Sequence, residues 1–356
     1  MAPDNSEARW DVADPAGNLV IKMPGSATSV FSEAADFEDA LRAEGCLGML
    51  VTGRGQFRAR LTQVSLHRLR LSATDETLAR IAVVAVPADM LLVSLPRGTE
   101  SAMISGGIRI GAGEIMTLGA GQRLHARTDG RCRWGLILLL ALEVVRYGSA
   151  LTGAAFAIPS TAGSWRPRPA NGRHLRHLHS AAIRLVESGS NALVDGEAAH
   201  GLEQQLIETL VECLSTGSAI ETSAATRERQ DVALRFEALL QTQPERPFRM
   251  AGICSALGVS AQTLRLSCEE QIGMGPVEYV SRRRMQLAYR ALRHRSPDKA
   301  SVSAIARRYG FRHLGRFAAR FRALYGELPS ATLRRGLESV TPLALRRSNV
   351  TVPRQR

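Results

Sequence analysis

The spacing of apolar residues changes partway along the chain. Between Gly48 and Leu142 they come in short runs punctuated by glycine, among them LTQVSLHRLRL, ARIAVVAV, MLLVSLP, GIRI, GEIMTLG and RWGLILLL. Short runs closed by turn residues predict strands, and a succession of them predicts an antiparallel β-barrel or sandwich. A short helix is expected before them at Ala34 to Ala43. From Leu175 the period lengthens. Leu175, Leu178, Ala182, Leu185 and Val186 share one helical face, and Leu202, Leu206, Leu210 and Cys213 share another. The expected fold class is therefore α+β, with an N-terminal antiparallel β-barrel domain, a helical pair that either finishes its core or builds a dimer seam, and an all-α C-terminal domain.

That C-terminal domain carries one pattern twice. RMAGICSALGVSAQTLRLSCEEQIGMGP aligns with SVSAIARRYGFRHLGRFAARFRALYGELP, pairing Ile253 with Ile305, Gly258 with Gly310, Leu264 with Phe317, Cys268 with Phe321 and Pro276 with Pro329. The offset is 52 residues up to the turn glycine and 53 after it, so the second turn is one residue longer. In the first copy Met250, Ile253, Cys254 and Leu257 form one apolar stripe; Gly258 ends that helix and Ser260 caps the next, from about Ala261 to Ile272. In the second, Val302, Ile305, Ala306 and Tyr309 make the first stripe, and Leu314, Phe317, Phe321 and Leu324 the next. Two short helices around a glycine turn are a helix-turn-helix unit, whose second helix is held outward.

The outward faces carry the chemistry. Gln262 and Arg265 share a face of the first outward helix, and His313, Arg316 and Arg320 recur on the second at i, i+3 and i+7. Such faces suit a major groove, where Arg reads guanine and neighbouring cations meet phosphate. Solvated faces of ordinary helices are the plainer explanation for any one such pattern; two copies with matching punctuation weigh against it. Between the copies Pro276 opens a joining helix with Val277, Val280, Leu287, Ala288 and Ala291 in one stripe to about Leu292. At about 1.5 Å per residue it is roughly 25 to 27 Å long, which sets the reading helices on the order of 34 Å apart, about one turn of B-DNA.

These residues resemble the AraC/XylS family of bacterial transcription regulators. VSAIARRYGFRHLGRFAARFRALYGELPSATLRR is similar to the second helix-turn-helix signature, nearest the XylS-like branch, and ALGVSAQTLRLSCEEQIGMGPVEYV to the first unit; the resemblance spans Asp231 to Arg335. It implies DNA contacts at Gln262, Thr263, Arg265 and Leu266 in the first copy and at Leu314, Gly315 and Ala319 in the second. Leu266, Gly315 and Ala319 depart from the pattern, since none can hydrogen-bond a base edge with its side chain, so the second unit either reads with His313, Arg316 or Arg320 or mainly holds phosphate. The resemblance also implies a cupin-like effector domain, a small aromatic or other organic acid as effector, activation of catabolic genes, a homodimer, and promoter DNA and RNA polymerase as partners.

Charge follows the same division. From Arg227 to the end there are 25 Lys plus Arg and 10 Asp plus Glu, a balance of +15, against −2 for the preceding 226 residues. That is the footprint of nucleic-acid binding. Cys46, Cys132, Cys213, Cys254 and Cys268 show no metal spacing and are expected as reduced core residues of a cytoplasmic protein. No secretory signal opens the chain and no stretch is long enough to cross a bilayer, the longest apolar run being Gly135 to Leu142.

The parse is a flexible start (1–30), a β-rich regulatory domain (31–158), a linker from Pro159 to Gly172, a helical pair usable for dimerisation (170–215), a second linker (216–228), the DNA-binding domain (229–337) and a basic flexible tail (338–356). His67 and His125 are expected as surface or core residues; His174, His177 and His179 lie close together but lack a carboxylate or Cys partner, so neither a metal nor a cofactor is expected. Trp134, Arg131 and Arg133 are candidates to line a pocket, or simply alternate on an edge strand. Two rival readings are a constitutive dimeric DNA-binding protein without a sensor and an enzyme such as a repair methyltransferase using Cys46 in EGCLG. The second has no His partner for its nucleophile, and the chain is read as a regulator without catalysis.

Overall fold

A computed structural model describes residues 25–98, 102–158, 162–190, 196–242, 248–294 and 301–338. The flexible start up to residue 24 and the basic tail beyond residue 338 lie outside the described residues. The chain divides into two compact units, Met1–Glu237 with Cys254–Pro276, and Ala238–Ile253 with Val277–Arg356.

The first unit opens with β1 (Gly25–Phe31), α1 (Ala34–Ala40) and a 3-10 turn (Leu41–Glu44). It continues through β2 (Cys46–Val51), β3 (Ala59–Ser65), β4 (Leu69–Glu76), β5 (Arg80–Ala85), β6 (Met90–Pro96), β7 (Met103–Ser105), β8 (Ile108–Ile110), β9 (Ile115–Leu118), β10 (Arg123–Thr128) and β11 (Cys132–Leu140). Then come α2 (Ala141–Thr152), β12 (Gly163–Arg166), α3 (Pro169–Glu187), α4 (Gly196–Thr216) and β13 (Ser218–Ile220). The strands form two antiparallel sheets, ordered β1-β3-β4-β11-β6-β9-β12-β13 and β2-β5-β10-β7-β8. They face one another as a sandwich and do not close into the expected barrel.

The longest apolar run becomes β11 because both its faces are covered. Trp134, Leu136 and Leu138 point between the sheets, while Ile137 and Leu139 join the apolar stripes of α3 and α4 on the outer side. Two-sided burial turns the alternation of a half-buried strand into a continuous run. The helical pair thus finishes the core: Leu175, Leu178, Ala182, Leu206 and Leu210 are packed against the sheet, so these stripes are not free to form a dimer seam.

Three boundaries differ from expectation. Residues 25–30 belong to β1, paired along its length with β3. The linker at 159–172 contains β12 and the start of α3, and the linker at 216–228 contains β13 and the start of α5 (Ala224–Thr242). β12 and β13 are only four and three residues long, too short to carry a period; they are strands because Ser164 and Arg166 pair with Ile220 and Ser218.

After α5 the duplicated segment folds as α6 (Met250–Leu257), α7 (Ala261–Gln271), α8 (Pro276–His294), α9 (Val302–Arg308), α10 (Leu314–Tyr325) and α11 (Pro329–Glu338). The second unit has an aromatic core in which Phe317 and Phe321 pack with Met285, Ala288, Tyr289, Leu292 and Ile305. Tyr289 stacks on Tyr325 with ring centroids 4.3 Å apart. Two positions of the expected stripes are corrected: Leu324 is exposed, its place taken by Tyr325 one residue on, and Val277 is exposed, so the buried face of α8 runs through Val280, Met285, Ala288, Tyr289 and Leu292.

Candidate nucleic-acid interface

In the first copy the turn between α6 and α7 is built as its residues require. Gly258 takes a φ of 66°, which closes α6 without the clash a Cβ would bring. Ser260 Oγ then accepts the backbone N–H of Thr263 at 3.0 Å, satisfying one of the orphan donors at the start of α7. The Thr263 hydroxyl lies 2.8 Å from Ser260 Oγ, so this expected DNA contact is engaged in the cap. Leu264, Ser267, Cys268 and Gln271 are buried, which leaves Gln262, Arg265, Leu266 and Glu269 exposed along one face. The side chains of Gln262, Arg265 and Glu269 make no hydrogen bond or ion pair among the described residues.

The rear of α7 is held by the first unit itself. A Cβ on Gly107, in the β7–β8 turn, would stand 2.5 Å from Gln271 Nε2, and one on Gly106 would stand 3.3 Å from Gln230 of α5. Arg127 of β10 lies against Gly273, and Glu270 pairs with Arg229. The glycines of SGGIRI are turns, as the sequence suggests, but their closeness to α7 has no local signal.

The second copy differs. Gly310 ends α9 at a φ of 85°, but His313 at the start of α10 makes no side-chain cap. His313, Gly315, Arg316, Ala319 and Arg320 are exposed, and Leu314 is half-buried. Arg320 donates from Nη1 to Ser281 Oγ of α8 at 2.7 Å. A groove of about 460 Å³ runs along α8 and α10, with Arg284, Arg312, His313, Arg316 and Arg320 on its walls and no acidic residue lining it among the described residues. The structure thus brings the three expected cationic residues of this copy together and adds Arg284 of α8 and Arg312 of the turn before α10, which escape a one-helix reading.

The other candidate chemistry is disposed of by burial. Burial first, and then the neighbouring Glu38, push the Cys46 thiol up to about 12, so it is not a ready nucleophile. Cys132, Cys213 and Cys268 are likewise buried and pushed up to about 12. His174 and His177 are exposed on α3 while His179 points into the sheet, and no metal-ligating group of three is present among the described residues. His67 is exposed and His125 is buried. Trp134 points inward, where Nε1 donates to Glu76 Oε1 at 2.7 Å, and Arg131 and Arg133 point outward to Asp75.

Between the sheets, Arg80 is fully buried. It donates to Glu76 from Nε at 2.8 Å and from Nη2 at 3.1 Å, and lies 4.9 Å from the Trp134 ring. Burial alone would pull the guanidinium down, but Glu76 outweighs it and Arg80 stays charged. The cavity beside this pair measures about 20 Å³, space for about one water.

Residues 253–335 match the family described as a helix-turn-helix domain. The probable thc operon regulatory protein of Rhodococcus erythropolis is 28% identical over 160 residues, covering 43% of this chain and 48% of its own. The chain thus spans about half the length of that relative. The XylDLEGF operon transcriptional activator of Pseudomonas putida is 40% identical over 76 residues, 21% of this chain and 24% of its own. The solved structure of the AraC-like transcriptional activator CuxR overlays on 74% of this chain and 95% of its own, with 16% identity and a TM-score of 0.42, below the level that establishes a shared fold.

Proposed function

We propose that this chain, whose residues 253–335 are a helix-turn-helix domain of the AraC/XylS type, is a sequence-specific DNA-binding transcriptional regulator. The observation that carries the reading is that each copy presents its own polar surface: the face of α7 is exposed and unpaired among the described residues, and the cations of the second copy converge on one groove. Gln262 and Arg265 read bases in one major groove; His313, Arg316 and Arg320 read or clamp the next. The names of the relatives, an operon regulatory protein and an operon transcriptional activator, support a role in activating transcription; catabolic genes as targets and RNA polymerase as partner belong to the same proposal. A cytoplasmic homodimer is part of this proposal, with a seam elsewhere than the buried faces of α3 and α4.

Selection of bound sequences from a random duplex pool by the full chain at physiological salt tests the proposal. Two short elements about one helical turn apart are expected. Binding without enrichment that vanishes as salt rises would overturn it.

For the β-domain, the proposed role is response to a small organic acid. A second reading, a constitutive regulator without a sensor, is favoured by one observation: the cavity lined by Arg80, Trp134, Met103 and Met116 between the sheets measures about 20 Å³, far less than an aromatic acid needs. Thermal unfolding with aromatic acids separates the two, because a ligand bound only by the folded chain must raise its stability.

A further inference from the structure

The groove along α8 and α10 is lined by more than cations. All of its lining belongs to the second compact unit, so it is a feature of that unit alone. Phe248, Val277, Tyr309 and Phe311 share the lining with the arginines, and none of the four is fully buried. The Phe311 ring is fixed 4.9 Å from that of the buried Phe317. Val277 is 59% exposed and lies off the buried face of α8, so packing of the unit does not account for it. Among the cations, Arg320 ties the two walls together through Ser281, while Arg312 and Arg316 make no hydrogen bond or ion pair among the described residues.

Phosphate explains only the charged part of this lining, because cations and donors are enough to hold it. Apolar side chains left open to solvent beside unpaired guanidinium groups fit a ligand of both characters. Its apolar body would displace water from Val277 and Phe311, and its acid group would take the two parallel N–H donors of an arginine. Sites for such molecules are concave, mostly apolar and set with a few polar groups, with volumes of roughly 300 to 1,000 Å³. At about 460 Å³ the groove is of that size, and the cavity of about 20 Å³ between the sheets is not. No acidic residue lines the groove among the described residues, so an anion meets no repulsion there.

We propose that the groove between α8 and α10 binds an organic anion, an apolar ring system carrying a carboxylate, and that the bound anion excludes DNA phosphate from the second copy. Arg316 holds the acid group, being unpaired and fixed on a helix, and Val277 and Phe311 hold the ring. The first half of the proposal stands on the groove alone; the second rests on the DNA-binding reading above. Exclusion is reciprocal, so DNA and anion each lower the other's apparent affinity.

The test titrates naphthoate, its neutral analogue naphthamide, and acetate into the full chain without DNA, by calorimetry. Val277→Ser and Arg316→Ala are compared with wild type, and thermal unfolding checks that these substitutions at exposed positions leave the fold intact. Naphthoate should bind wild type roughly tenfold or more tightly than naphthamide, which lacks the charge, and acetate, which lacks the ring, should not saturate. Arg316→Ala should weaken naphthoate by about tenfold or more, and Val277→Ser by about three- to tenfold. Naphthoate should also release the selected duplex from wild type, and should do so from Val277→Ser only at higher concentration. The proposal is overturned if naphthoate does not saturate wild type, if naphthamide binds as tightly, or if both variants bind naphthoate as wild type does, since the acid would then sit elsewhere. Binding as expected with the duplex retained overturns the exclusion of DNA. Binding as expected by a chain that selects no duplex leaves the groove site standing and overturns the DNA-binding reading instead.

Discussion

The two helix-turn-helix copies share a frame and differ in nearly everything placed on it. The first has a capped outward helix, a small core of Leu264 and Cys268, and an exposed face with Gln262, Arg265, Leu266 and Glu269. The second has an uncapped outward helix, a core of Phe317, Phe321, Tyr289 and Tyr325, and exposed arginines beside Gly315 and Ala319. One copy varies its side chains in chemistry, as a base reader must; the other repeats one cation over small residues, as a phosphate clamp does. They also belong to different compact units, the first turn and α7 with the β-domain and the second copy with α8. The proposed roles, base reader and phosphate clamp, follow this difference on a shared scaffold.

The largest expected effect breaks the comparison at the cores. Phe321 is fully buried, so Phe321→Ala should cost about 3 to 5 kcal/mol and unfold the second copy. Cys268→Ala, at the equivalent place in the first, should cost about 1 kcal/mol. Hydrogen exchange followed segment by segment checks this: loss of protection in α7 as large as that in α10 would show that the copies unfold together.

Acid should act mainly on the unit that carries the first copy. His179 is fully buried on α3, its ring against Gly135 and Nε2 3.1 Å from Ser72 O. Burial first, and Arg97 next, pull its pKa from 6.5 down to about 4. Below pH 6.5 the unfolded chain takes up a proton that the folded chain refuses, so stability falls as pH drops from 6.5 to 4, by on the order of 3 kcal/mol. Burial lowers His125 in the same direction. Denaturant unfolding at pH 7 and pH 4.5 measures the loss, and His179→Gln should flatten it.

At the faces, Arg265→Ala should cost about 1 to 3 kcal/mol on the selected site and relax one position. Arg320→Ala should weaken selected and random duplex alike and lower the salt slope by about 1. The reverse pattern would exchange the roles assigned to the two copies.

Much of this contrast was legible in the sequence because its causes are local. Gly258, Gly310 and Ser260 announce their turns and cap through backbone torsion and a bond spanning three residues. Position 324 misled because a period of 3.6 fits both Leu324 and Tyr325, and stacking on Tyr289 decided for the tyrosine. The linker at 216–228 was misread because β13 is a strand through its partner β12 and has no apolar face of its own. The stripes of α3 and α4 were visible, but an apolar stripe does not say whether it meets a sheet or a second copy. The approach of Gly107 to Gln271 joins residues 164 positions apart and leaves no periodic trace.

The caps carry the smallest effect and the sharpest test of divided labour. Ser260→Ala removes the acceptor for Thr263 N–H and should cost the first copy about 1 kcal/mol. His313 stands at the same structural position in the second copy and caps nothing with its side chain, so His313→Ser should stabilise that copy by up to about 1 kcal/mol. His313 is exposed at the mouth of the basic groove, which fits the contact with DNA proposed above. His313→Ser is therefore expected to raise the unfolding temperature of the second copy while weakening binding to the selected duplex. A variant that gains stability and binds as tightly as wild type would show that His313 contributes to neither, and would leave the second copy's contact to its arginines alone.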